Sequence, residues 1–157
     1  MNRVILETRK WYLERGSVAQ IVNIPIIAGT LALAVATSSL AEVQCWGRED
    51  QGQCDVPEEL VGANAIAAGG YHSAVIKPDR TVVCWGLNSQ GQCDGPTDLT
   101  NATGIACGSR HTLALRSNGT VACWGWNSDG QLDVPGFLTN ATQVSAGERH
   151  SVALRSD

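Results

Sequence analysis

Residues 82–96 read VVCWGLNSQGQCDGP, and the pattern recurs at 43–57 as VQCWGREDQGQCDVP and at 121–135 as VACWGWNSDGQLDVP. The spacing is thirty-nine residues both times, and it carries far beyond this segment. Trp46, Trp85 and Trp124 coincide, as do Gly69, Gly108 and Gly147, then His72, His111 and His150, and the apolar ends 74–76, 113–115 and 152–154. A fixed period of this length marks a solenoid, a propeller or an array, in which each unit buries its apolar face against the next.

Within a unit the periodicity is two. HTLALRSNGTVACWG (111–125) alternates on either side of Ser117-Asn118-Gly119, and Asn-Gly supplies the positive φ angles of a tight hairpin. NATGIACG (101–108) and NATQVSAG (140–147) predict a further short strand ended by glycine. Short strands, a Gly-rich loop and one fixed Trp predict an all-β chain with one small antiparallel sheet per repeat, the form of a propeller blade. The recurring Trp46, Trp85, Trp124, His72, His111 and His150 read as residues that hold blades together.

The elements W-G-x-N-x-x-G-Q, A-x-G-x-x-H and A-L-x-x-x-G-T together resemble the repeat of the regulator of chromosome condensation family, over residues 42–157. The resemblance implies a β-propeller, commonly of seven blades, and the family's secreted bacterial members include a β-lactamase inhibitor. Three repeats stand here (42–80, 81–119 and 120–157) where that ring takes seven. The nucleotide-exchange activity of nuclear members is not implied, because an export-type leader and the blade number both depart from them. Residues 41–157 make three whole periods that start and stop at one phase, opening on the VQCWG strand and closing on SVALRSD, just before its hairpin partner would follow. Closure in this family is expected to pair those two strands. Three blades are too few to close alone, which leaves a homodimer completing a six-blade ring, or a fragment of a longer propeller protein.

Residues 1–41 have a different composition. Arg3, Arg9, Lys10 and Arg15 precede the uncharged run 21–36, and small residues lead to Ala41. The pattern predicts a helical leader, either a secretory signal cut before Glu42 or an uncleaved membrane anchor. Both place the repeats outside the cytoplasm, in the periplasm or the extracellular space, or anchored and facing outward. The whole chain has a net charge of −4, and the seven basic and thirteen acidic residues of 42–157 give −6. An acidic balance without basic clusters argues against a nucleic-acid partner.

Six cysteines in an exported chain predict disulfides. Cys45 and Cys54 flank the Gly-Gln loop, Cys84 and Cys93 repeat their spacing, and Cys107 and Cys123 are left as a third pair. Buried free thiols are the alternative. C-x8-C is not a metal-ligand spacing, and the acidic loop 127–133 offers too few ligands for calcium, so no metal or cofactor is expected. No nucleophile, phosphate-loop or metalloprotease motif is present, so no catalytic residue is assigned. The sequons at Asn101, Asn118 and Asn140 coincide with repeat and turn positions.

If the constant positions build the blades, the varying ones are available to partners. These are Arg48, Leu87 and Trp126 after each Trp-Gly, and Tyr71, Arg110 and Arg149 before each His. Trp, Tyr and Arg dominate protein interfaces. The function expected is therefore an exported protein-binding scaffold, with inhibition of an extracellular or envelope hydrolase as the alternative.

Overall fold

The computed structural model describes residues 41–157, and the leader with its signal or anchor reading lies outside the described residues. The fold is all-β. Eight strands form three antiparallel sheets: β1 (Ala65–Ala68), β2 (His72–Ile76) and β3 (Val82–Gly86); β4 (Ala102–Cys107), β5 (His111–Arg116) and β6 (Val121–Gly125); then β7 (Ala141–Ala146) with β8 (Ser151–Arg155). The two three-stranded sheets are meanders that straddle the repeat boundaries at 80 and 119. The Trp strand that opens one repeat completes the sheet begun by the repeat before it.

The hairpin predicted at Ser117-Asn118-Gly119 joins β5 to β6. Gly119 has a φ of +80°, and Asn118 Oδ1 accepts from Thr120 N and Oγ1. The β2–β3 turn reaches the same geometry with Asp79-Arg80, where Arg80 takes a φ of +65° and Asp79 accepts from Thr81. Thr103 and Thr142, the threonines of two sequons, stand at bulges and donate to the carbonyls of Leu115 and Leu154.

The blades pack face to face. β4 lies against β1 and β2, and β7 lies against β4 and β5. The core between the first two blades gathers Ile76, Leu99, Ala102, Ala114 and Trp124. Trp85 and Trp124 are buried, each over the loop that leaves the preceding Trp strand. Gln53 O, in the first such loop, accepts from Trp85 Nε1 at 3.0 Å and from Ser73 Oγ at 2.8 Å. The glutamine side chains shape these loops: Oε1 of Gln53, Gln92 and Gln131 each accepts the backbone N–H two residues earlier. Truncating a buried Trp of this kind to Ala costs about 3–5 kcal/mol, so the indole is a principal source of each blade's cohesion.

The opening VQCWG segment departs from expectation. Residues 43–47 form no strand, and Trp46 is 86% exposed. A strand exists only through its ladder of hydrogen bonds, and no edge runs beside this segment among the described residues.

Candidate protein-interaction rim

The histidines lie beneath the loops. His72 and His111 are fully buried. His72 Nε2 stands 2.8 Å from Thr112 Oγ1 of the next blade, and His111 Nε2 stands 3.2 Å from Ser151 Oγ. Each hydroxyl also donates to a loop carbonyl, Thr112 to Gln92 O and Ser151 to Gln131 O. A hydroxyl has one proton, so the imidazole must be the donor, which fixes the Nε2–H tautomer. Nδ1 of both rings is then an acceptor, buried and unpartnered. Burial, with the nearby His111 adding to it, lowers His72 to about 4, and burial lowers His111 as well. These buried rings are neutral latches between blades. His150, in the last blade, is exposed.

The glycine before each latch is there because the ring lies on its backbone. A Cβ on Gly108 would stand 2.2 Å from His111 Cε1 and 2.7 Å from Gly147 O. The same loops are tied to one another by backbone bonds, Gly70 N to Gly108 O and Ser109 N to Glu148 O. The variable residues preceding the histidines are therefore held in a row.

That row meets the residues that follow each Trp-Gly. Leu87 N donates to Tyr71 O, and Trp126 N donates to Arg110 O. The Tyr71 ring lies between two guanidinium groups, Arg48 at 5.6 Å and Arg110 at 5.7 Å. Arg149 lies over the Trp126 ring at 5.2 Å. All six residues proposed for partner contact thus fall on one rim, as an Arg48–Tyr71–Arg110 stack with Leu87 beside it and a Trp126–Arg149 pair. Tyr71, Leu87, Arg110 and Trp126 are half-buried, which presets their geometry, while Arg48 and Arg149 are exposed. Arg48 pairs with Asp50, and Arg149 with Asp129 and Glu148. Arg110 forms no ion pair among the described residues.

Cys45 and Cys54 are joined, with a Cα–Cα distance of 5.1 Å. Cys84, Cys93, Cys107 and Cys123 are thiols. The neighbouring Cys84 and Cys93 thiols donate to the carbonyls of Gln92 and Leu87. Their mutual interaction, with burial adding to it, raises the first, and the same interaction lowers the second against the effect of burial. Burial pushes Cys107 to about 12 and Cys123 to about 11. β5 runs between the strands that carry Cys107 and Cys123. Two strand spacings, roughly 10 Å, exceed the Cα separation a disulfide spans, so the sheet does not accommodate that third pair. Asn127 and Asp133 of the acidic loop bond each other at 2.9 Å, and no group of three or more metal-ligating side chains is assembled among the described residues.

Residues 64–92 and 102–131 match the profile of the regulator of chromosome condensation (RCC1) repeat. No curated protein matches the chain in sequence. Among solved structures, the CRINKLY WD40 ectodomain of the Arabidopsis thaliana receptor kinase ACR4 superposes with a TM-score of 0.64 at 21% identity, covering 76% of this chain and 42% of that one. The ectodomain of the Physcomitrella patens receptor kinase CR4 gives 0.56 at 27% identity, covering 71% and 30%. Prp20p of Saccharomyces cerevisiae, described with its binding to Gsp1p and histones, gives 0.57 at 22%, covering 71% and 38%. The chain spans less than half the length of each of these structures. Two successive segments of the chain thus match the regulator of chromosome condensation repeat, and the neighbours share its propeller architecture.

Proposed function

We propose that the chain is a protein-binding propeller module that works outside the cytoplasm and carries out no catalysis. The observation that carries this reading is the rim, where the positions that differ between repeats converge as stacked aromatic and guanidinium groups on a scaffold whose buried His72 and His111 are spent on blade-to-blade bonds. Such a surface fits a protein partner that offers carboxylates and flat apolar groups. Export is supported by the leader and by the Cys45–Cys54 bridge, a bond favoured in oxidising compartments. It is also in keeping with the receptor-kinase ectodomains among the similar structures. The propeller of Prp20p, described with its binding to Gsp1p and histones, supports the same reading. Besides a ligand at the rim, the reading includes a second copy of the chain that completes a six-blade ring.

The test is affinity capture from envelope and secreted fractions with wild-type chain, Tyr71→Ala and Trp126→Ala. We expect one or more proteins that the wild type retains in stoichiometric amount to be lost from at least one variant, with melting temperatures unchanged. Retention of every partner by both variants would overturn the rim assignment.

A further inference from the structure

The third blade is half a sheet. Among the described residues its strand β8 has no neighbour on the side where β3 joins β2 and β6 joins β5, and Val152 and Leu154 on it are 53% and 56% exposed. Beside that edge opens a cavity of about 380 Å³ whose walls include Gln131, Val134, Pro135, Leu138, Ser151 and Val152. One period earlier, the corresponding loop holds Trp124. Gly95 lies so close to that indole that a Cβ would stand 3.3 Å from it, and Leu99 shares its core. Gln131, Val134, Pro135 and Leu138 are the repeat equivalents of Gln92, Gly95, Pro96 and Leu99. The cavity is the third copy of an indole site.

The matching strand is also present. The segment 43–47 repeats the pattern of β3 and β6 yet pairs with nothing among the described residues, and its Trp46 is 86% exposed. Gly47 has a φ of +114°, beside +101° at Gly86 and +107° at Gly125. A Cβ on Gly86 or Gly125 would strike backbone atoms at 2.7 Å and 2.6 Å, whereas one on Gly47 would meet nothing within 4 Å. Gly47 therefore has the conformation of a docked strand end with no dock beneath it.

We infer that residues 43–47 of a second copy of this chain add to β8 as its outer strand and seat Trp46 in the cavity. The inference rests on the six-blade reading above and gives it residues and a register. In the two complete sheets, Gly86 lies opposite His72 and Trp85 opposite Ser73, and Gly125 lies opposite His111 and Trp124 opposite Thr112. Carried forward, Gly47 of the second copy lies opposite His150, Trp46 opposite Ser151 and Gln44 opposite Ala153. The latches extend the same way. His72 and His111 each bond a hydroxyl forty residues on, so exposed His150 meets Ser73 of the second copy, whose Oγ already donates to Gln53 O as Thr112 does to Gln92 O. The three described blades fall below the smallest propeller ring, so within them the segment does not serve its own β8, while reciprocal exchange between two such sets gives six and leaves no open edge among them.

The test uses the full chain in mild detergent. Gln44→Cys and Ala153→Cys chains with different tags are mixed and oxidised, then peptide-mapped, with Gln143→Cys on the inner strand as control. A 44–153 link between differently tagged chains, missing from the 44–143 mixture, is expected. No link, or a link only within one chain of the double variant, overturns the inference. Native mass spectrometry of the wild type is expected to show two chains, and Trp46→Ala to lose that species while keeping its β-sheet signal; an unchanged mass in Trp46→Ala overturns the inference too. A 44–153 link with an open-ended mass distribution would uphold the strand addition and sink the ring, whereas a two-chain mass without the link would do the reverse.

Discussion

A proton added to His72 has nowhere favourable to go. Nε2 already donates to Thr112, and the second N–H would point into a buried, unpartnered site. The folded ring titrates at about 4, below the 6.5 of a free imidazole. Unfolded chain therefore binds more protons between those values, and stability falls as the pH drops through that window and is fully present above it. The loss approaches about 3 kcal/mol by pH 4, at 1.36 kcal/mol per unit. Urea unfolding at pH 7 and pH 5 should show it, and Thr112→Val, which leaves the Nε2 proton unpaired, should start from a lower stability at pH 7. At Gly108, substitution by Ala drives a methyl into the His111 ring and should cost more than 3 kcal/mol, while Gly136→Ala, whose Cβ meets nothing, should change stability by less than about 0.5 kcal/mol in the same assay. Repetition alone marks these histidines as scaffold. Their partners were half-visible, since each His is followed by Ser or Thr, but the bond runs to the previous blade's ring, and a contact between neighbouring blades leaves no spacing rule within one repeat.

At the level of strands and loops, period-two patterning and Asn118-Gly119 identify the β5–β6 hairpin, and its copies follow by the repeat. The β2–β3 turn was less legible, because Arg80 takes the left-handed conformation usually reserved for Gly or Asn. The VQCWG segment shows where reading by likeness stops: its composition is that of β3 and β6, but pairing is a property of the edge beside it. The cysteines follow the same lesson. Cys45–Cys54 is bridged, and Cys84 and Cys93 sit side by side at equivalent positions, with Sγ of Cys45 and of Cys84 3.6 Å and 3.7 Å from the carbonyls of Gln53 and Gln92. Oxidised protein should therefore yield a Cys84–Cys93 peptide on non-reducing mapping, adding about 2.5–3 kcal/mol through closure of a ten-residue loop. Recovery of both as free thiols from protein exported to an oxidising compartment would refute this. The expected Cys107–Cys123 pair fails because β5 runs between the strands that carry them, which only the sheet shows.

Across the molecule, the fold was readable because a period is a global signal. The candidate site was readable only by subtraction, as what the repeats do not share. The six rim residues do come together, yet the Arg48–Tyr71–Arg110 stack could not be foreseen, since it joins residues of adjoining blades. The cavity beside β8 was likewise hidden, because a missing neighbour has no letters of its own. The sheets' offset from the repeats bears on how such proteins grow. Each thirty-nine-residue copy supplies the outer strand of one sheet and the inner pair of the next, so every splice between copies falls inside a blade. Gain or loss of a whole copy by recombination leaves each junction stitched as before, while a deletion of any other size would set two unlike strands side by side. A change in blade number that preserves strand pairing therefore comes in whole steps of one copy.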